Sequence, residues 1–235
     1  QRRTVRSGFV LAVAGLSREA RIAAGEGVET LQAGGRPAAL RDKLALLPDA
    51  PLRAVISFGI AGGLDPSLLP GDVVLGTAVI VADGAADRRL PCNPAIVAAH
   101  VQRLAALGPR VVTAEVAGVE AAVLTTGAKS ALRARTGAAI VDMESHVAAA
   151  FAARRGLPFA VLRVVCDPAE RALPAFAASA LKPNGDPDIL GVLAALVRRE
   201  ARIRELVRLA RDSGEAFRGL SRARALLGLT LGVDA

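Results

Sequence analysis

The chain has 235 residues, enough for one large domain or two small ones at about 150 residues each, and its 52% hydrophobic content excludes a disordered chain and can bury a sizeable core. Two cysteines and two histidines exclude a disulfide framework, a four-cysteine zinc site and a histidine-rich metal site, so no metal is expected. The formal charge is +8, yet Trp and Tyr are absent, which speaks against a nucleic-acid reader that stacks bases on aromatic platforms.

In chain order, Arg2, Arg3 and Arg6 ahead of the apolar run Phe9–Gly15 imitate a secretory signal. The run is short and leads into Gly15-Leu-Ser-Arg-Glu-Ala, a strand-to-helix turn, so it is expected to be the first buried strand of a cytoplasmic protein. Phe9–Ala14 reads as that strand and Ser17–Ala24 as a helix with Ser17 as N-cap. A helix over Pro37–Leu47 stops before Pro48, and the strand Arg53–Phe58 runs into Gly59-Ile-Ala-Gly-Gly63. A Pro70-Gly71 turn precedes the strand Asp72–Val81. Pro94–Leu107 is helical, and Arg110–Ala114 and Ala121–Thr125 are strand candidates. Then come the helix Ala128–Thr136, the strand Ala138–Asp142, the helix Ser145–Arg155 and the strand Phe159–Val165. This alternation predicts a single α/β domain over residues 1–235, with a largely parallel twisted sheet and helices on both faces.

Composition changes after Asp167. A loop rich in Pro and Ala, Pro168–Pro187, leads to a basic helical segment, residues 188–228. Nine arginines face four acids between Val197 and Arg224. Ile189, Val192, Leu193, Leu196, Ile203, Leu206 and Val207 form an apolar stripe at helical spacing. Such a segment either docks on the sheet with its Arg face in water or lies on a membrane surface. No stretch reaches the ~18–20 apolar residues of a membrane span. The positive charge is almost all Arg, lysines standing only at Lys43, Lys129 and Lys182; this suits carboxylate or phosphate ligands, although a GC-rich genome gives the same bias.

Familiar catalytic motifs fail. Thr125-Thr-Gly-Ala-Lys-Ser130 hints at a P-loop but lacks the adjacent Gly-Lys pair, Gly59–Gly63 is no dinucleotide fingerprint, and neither a G-x-S-x-G elbow nor H-E-x-x-H occurs. What stands out instead is a set of strand ends bearing small residues and carboxylates: Ser17-Arg-Glu19, Gly59–Gly63, Asp142-Met-Glu144 and Cys166-Asp167. In α/β sheets ligands bind outside the carboxyl ends of the strands. A single carboxylate there could be a cap or half a salt bridge, but their coincidence points to a site. Gly62 and Gly63 let backbone N–H groups approach a ligand. Met143, the only methionine, is either core filler or part of that site.

Ile56-Ser-Phe-Gly-Ile-Ala-Gly-Gly-Leu64, Leu69-Pro-Gly-Asp-Val-Val74, Val141-Asp-Met-Glu-Ser145 and Arg163-Val-Val-Cys-Asp167, in this order, resemble the nucleoside phosphorylase family. Gly15-Leu-Ser-Arg-Glu19 is similar to the start of the nucleosidases acting on methylthioadenosine and S-adenosylhomocysteine. Val13–Arg21, Asp142–His146, Cys166-Asp-Pro-Ala169 and the Arg-rich tail are similar to the hopanoid-associated phosphorylases. The resemblance implies cleavage of the N-glycosidic bond of an adenine nucleoside by phosphate or water. Adenosylhopane is the implied substrate, with methylthioadenosine or S-adenosylhomocysteine as the alternative. It further implies Asp167 as the acid that protonates adenine N7, Glu19 as the base that activates water, Glu144 on the ribose hydroxyls and Met143 under the sugar. Gly62 is implied in the backbone strip lining the site, and Gly34, Gly35 and Arg36 at a glycine turn that is a candidate phosphate or water site.

The pattern departs from the family at Ile60, where a Ser or Thr is usual, and at Ser57, where bacterial phosphorylases carry a phosphate-binding Arg. Both changes weaken phosphorolysis, although Arg18, Arg21 or Arg36 could hold phosphate. No cofactor is expected beyond phosphate as co-substrate, and no nucleic-acid partner. A homo-oligomer is implied by the family, and peripheral contact with the inner membrane surface by the basic tail. The rival from another class is a non-catalytic protein that binds a purine nucleoside or a lipid.

Overall fold

The computed structural model describes residues 8–49, 51–82, 87–173 and 203–233. Strand β1 (Phe9–Ala14) is buried along almost its whole length because helices cover both faces of the sheet. It is followed by α1 (Ser17–Ala23), β2 (Val28–Gln32), α2 (Pro37–Ala45), β3 (Leu52–Gly63), β4 (Val73–Val81), β5 (Arg88–Pro91) and α3 (Pro94–Arg103). A 3-10 turn (Ala105–Arg110) leads to β6 (Val111–Gly118), α4 (Thr126–Thr136), β7 (Ile140–Asp142), α5 (Ser145–Arg155), β8 (Phe159–Asp167) and α6 (Ile203–Leu227). Leu16, not Ser17, is the N-cap of α1; no hydroxyl caps the helix, and the Glu19 side chain at its third position reaches back to accept from the Leu16 N–H, as the acidic half of a capping box does.

The sheet is mixed rather than largely parallel. Pairings β1–β2, β1–β3, β3–β8, β4–β6 and β6–β7 are parallel, while β3–β7, β4–β5 and β4–β8 are antiparallel. Because β8 pairs with both β3 and β4, and β7 joins β6 to the far end of β3, five strands close on themselves: β3, β8, β4, β6 and β7. Closure removes free sheet edges at the point where four strands end together. The antiparallel contacts arise because β3 is long enough to meet β8 along its middle and still pair Gly62 and Gly63 with Val141 and Ile140.

Several expected elements differ. Ala121–Thr125 is a loop whose Thr125 hydroxyl accepts from the Ala128 N–H, so it serves as the cap of α4 instead of a strand. The helix after Pro94 ends at Arg103. Strands β2 and β5 had no apolar signature: β2 is buried only at Val28, and β5 is mostly exposed. Ile189, Val192, Leu193 and Leu196 of the expected stripe lie outside the described residues, as do Arg2, Arg3 and Arg6. From Ala216 on, α6 docks on the sheet. Phe217, Leu220 and Leu227 join the core around Phe58, Leu75 and Leu162, and at about 1.5–3 kcal/mol per buried large apolar side chain this contact holds the helix down. Arg18 stacks 4.1 Å from the Phe217 ring centroid, which ties α1 to α6.

Candidate active site

The carboxyl ends of β1, β3, β7 and β8 converge, and glycines make the convergence close. A Cβ on Gly15, just past β1, would stand 2.8 Å from Glu144 Oε1. On Gly59 it would stand 2.5 Å from Glu19 Oε1 and 2.7 Å from Arg163 Nη1, and on Gly62 it would stand 3.2 Å from Asp167 Oδ2. Neighbours this close leave no room for a side chain at Gly15 or Gly59.

Glu19 is 1% exposed. Its Oε2 accepts from the N–H groups of Gly15 (2.8 Å) and Leu16 (2.7 Å), and its Oε1 from that of Ile60 (2.7 Å). Burial raises its pKa above the ordinary carboxylate value, against the pull of Arg163 and of the three N–H donors.

At the centre is Arg163, fully buried in the middle of the apolar strand β8. Its Nη2 donates to Ser57 Oγ (2.7 Å) and lies 3.3 Å from Glu144 Oε2. Its Nη1 donates to the Ile60 carbonyl (3.2 Å), and its Nε lies 2.9 Å from Asp142 Oδ2 without the alignment of a hydrogen bond. Asp142 in turn orders the turn into α5: its Oδ1 accepts from the N–H groups of Glu144 (3.0 Å) and Ser145 (2.8 Å), and its Oδ2 from the Ser145 hydroxyl. One guanidinium therefore faces three buried carboxylates, Glu19, Asp142 and Glu144. The imbalance pushes Glu144 up to about 8, through burial first and then through repulsion from Asp142 and Glu19, which Arg163 only partly offsets.

Asp167 lies across β3 from this cluster. The register of β8 on β3 shifts between Ala61 and Gly62, which sets Asp167 opposite Gly62. Its Oδ2 accepts from the ammonium of Lys129, on the first turns of α4. Burial raises the pKa of Asp167, and Lys129 pulls it back. Met143 is half-buried against the apolar cluster that includes Leu64, Val119 and Val141.

The turn at Gly34 and Gly35 has φ of +65° and +68°, and the Gly35 N–H donates to the Gly15 carbonyl (3.2 Å), which sets this turn beside Gly15, the residue that lies against the Glu144 carboxylate. Arg36 is the exposed N-cap of α2 and donates from Nε to the Ala33 carbonyl (3.4 Å). Ser57 is buried, with its hydroxyl 2.9 Å from Ser145 Oγ as well as on Arg163. Among the described residues no group of three or more His, Cys, Asp or Glu has an arrangement that could hold a metal ion.

Sequence reasoning gave no role to Arg163, Asp142, Ser57, Ser145 or Lys129. Two of these carried a signal. An arginine inside an otherwise apolar strand must find carboxylates to be buried at all. Lys129 is one of three lysines in an Arg-rich chain, and it lies in the segment whose likeness to a P-loop fails.

The sequence profile of the phosphorylase superfamily matches residues 6–199. The chain belongs to that family, whose enzymes cleave N-glycosyl bonds. Solved structures share the fold at low identity. The 5'-methylthioadenosine/S-adenosylhomocysteine nucleosidase of Neisseria meningitidis, in complex with methylthio-immucillin-A, has a TM-score of 0.70 and 15% identity, over 94% of this chain and 98% of that one. The corresponding nucleosidase of Colwellia psychrerythraea, in complex with adenine, has a TM-score of 0.68 and 18% identity, over 97% and 98%. Futalosine hydrolase of Helicobacter pylori has a TM-score of 0.67 and 12% identity, over 93% and 97%. No curated protein matches the sequence.

Proposed function

We propose that this chain cleaves the N-glycosidic bond of an adenine nucleoside. The observation that carries the reading is the charge polarity of the site. Breaking a ribosyl C1′–N9 bond leaves positive charge on the sugar and negative charge on the purine. On one side three buried carboxyl groups, Glu19, Asp142 and Glu144, surround a single guanidinium, an oxygen-rich environment of negative polarity suited to an oxocarbenium-like sugar. On the other, Asp167 sits against an ammonium, where a proton donor and a cation suit a departing base.

In this mechanism Asp167 protonates N7 and Glu144 holds the ribose hydroxyls, while Met143 packs under the sugar and Gly62 keeps the strip between them open. Glu19 takes the proton of the attacking water. Three backbone N–H bonds favour the ionised form of Glu19, while burial, the larger effect, raises its pKa and makes its carboxylate a stronger base than a solvated one. Water is favoured over phosphate because Ser57 is enclosed and occupied by Arg163 and Ser145. The Gly34-Gly35-Arg36 turn is where phosphate would bind if it is the co-substrate.

The hopanoid nucleoside is the substrate proposed from the sequence resemblance, with methylthioadenosine or S-adenosylhomocysteine as the alternative. Its support is the exposed basic face of α6, where Arg208 and Val207 point outward; such a face suits peripheral contact with an anionic inner-membrane leaflet in a cytoplasmic homo-oligomer. No helix among the described residues is long and apolar enough to cross a membrane. The experiment incubates the protein with adenosylhopane in vesicles, methylthioadenosine or S-adenosylhomocysteine, with and without phosphate, and identifies base and sugar by mass spectrometry. Free adenine with ribose-type product supports hydrolysis, and a sugar 1-phosphate supports phosphorolysis. Tight nucleoside binding with no release of base from any of them refutes the enzyme and leaves the binding protein. Equal, negligible sedimentation with anionic and neutral vesicles refutes the membrane contact alone.

A further inference from the structure

Lys129 is only 1% exposed and is ion-paired with Asp167. An ammonium has three N–H donors, and all three are used inside the protein: on Asp167 Oδ2, on the Pro168 carbonyl (2.9 Å) and on the Arg171 carbonyl (3.1 Å). None is left for a ligand. The other groups around Asp167 are accounted for element by element. Strand β3 offers Gly62 and Gly63, which are uncharged. On β8, burial pushes the Cys166 thiol up to about 12, so it stays neutral. Arg171, in the segment after β8, is ion-paired with Asp212 of α6. Lys129, from α4, is the cation in direct contact with the Asp167 carboxylate.

We propose that Lys129 is a positioning residue that sets the acidity of Asp167. The proposal rests on reading Asp167 as the acid of nucleoside cleavage. By holding Oδ2, the ammonium leaves Oδ1 to carry the proton. In the step itself the Oδ1–H bond breaks and an N7–H bond forms. The electron pair of the C1′–N9 bond passes to the purine, and Asp167 is left as a carboxylate. Lys129 stays protonated throughout and stabilises that carboxylate, which makes Asp167 a stronger acid than burial alone would allow. The same two carbonyl contacts tie down the chain from Pro168 to Arg171, so a purely structural role has to be separated by experiment.

Carbon-13 NMR titration of the Asp167 carboxyl in the ligand-free protein makes the separation, with Asp167→Asn assigning the resonance. In Lys129→Met the midpoint should move up by at least about one pH unit, the smallest shift expected on losing an opposite charge in contact. The alkaline limb of kcat/KM for methylthioadenosine should move up with it, and Lys129→Arg should keep both near the parent. A folded Lys129→Met with an unmoved midpoint, or with kcat/KM lowered equally at every pH, overturns the proposal. If that variant does not fold, Lys129→Gln takes its place: the Asp167 midpoint should again rise by about one unit, and an unchanged midpoint overturns the proposal. Should the parent release no adenine, the cleavage reading fails while the titration still judges Lys129.

Discussion

Replacing Arg163 by Met tests the centre of the site. The substitution keeps much of the side-chain volume but removes the single cation that faces Glu19, Asp142 and Glu144, all buried. Removing one partner from a buried ion pair costs about 3–5 kcal/mol because the remaining charge is left uncompensated. In a domain of this size, at about 2–4 °C per kcal/mol, the midpoint of thermal unfolding should fall by roughly 6–20 °C. The cost should also depend on pH, with a definite sign. A buried carboxylate whose folded pKa is raised costs no stability below its unfolded value of about 4.3. The cost grows as pH rises and levels off above the folded value, which for Glu144 in the parent is about 8. Without Arg163 the folded values of Glu19 and Glu144 rise further, so the cost levels off in the parent where it keeps growing in the variant, and the gap between them should widen from pH 7 to pH 9. Urea unfolding at both pH values measures it. A penalty below about 1 kcal/mol, or one equal at the two pH values, would refute the claim that Arg163 lowers the cost of ionising Glu19 and Glu144.

Asp167→Asn keeps the shape of the strand end but has no proton for N7, so turnover should fall at least about 10²-fold with the fold intact by circular dichroism; activity within a fewfold of the parent removes Asp167 from the acid role. Glu19→Gln should be severe if water is the nucleophile and mild if phosphate is, read from the rate of adenine release in the presence and absence of phosphate. Gly59→Ala puts a Cβ 2.5 Å from Glu19 Oε1 and 2.7 Å from Arg163 Nη1, so it should cost about 1–3 kcal/mol in urea unfolding together with most of the activity; an unaffected variant would show that the strip can yield. His100 is buried with Nε2 2.8 Å from the Leu231 carbonyl and with Nδ1 unpartnered. Burial lowers its pKa below the usual 6.5, so the stability it supports is present above pH 6.5 and is lost as pH falls below it. The advantage of the parent over His100→Gln should therefore shrink between pH 7 and pH 5, and a constant difference would show that His100 does not titrate on unfolding.

How much of this was legible in the chain follows from how far each signal reaches. The apolar run Phe159–Val165 marks β8 as a strand buried on both faces, because every residue of the run needs cover. The helix Ser145–Arg155 was bounded correctly, since Gly156 supplies the left-handed residue (φ +61°) that stops it. Carboxylates at Glu19, Glu144 and Asp167 were visible as strand-end residues, for a charge beside an apolar run needs a partner. Which partner each one finds was not visible. Arg163 meets Ser57 across 106 positions of chain and Lys129 meets Asp167 across 38, and such contacts depend on strand register and on closure of the sheet. Strand β5, mostly exposed, carries no periodic pattern and forms only because β4 offers its edge. The antiparallel contacts that make the sheet mixed have the same origin: β8 reaches β4, and the glycine end of β3 reaches β7. Local pattern tells a residue whether it will be buried. Only the assembled fold decides what it is buried against, because burying a charge is favourable only when a distant part of the chain brings the opposite charge within reach.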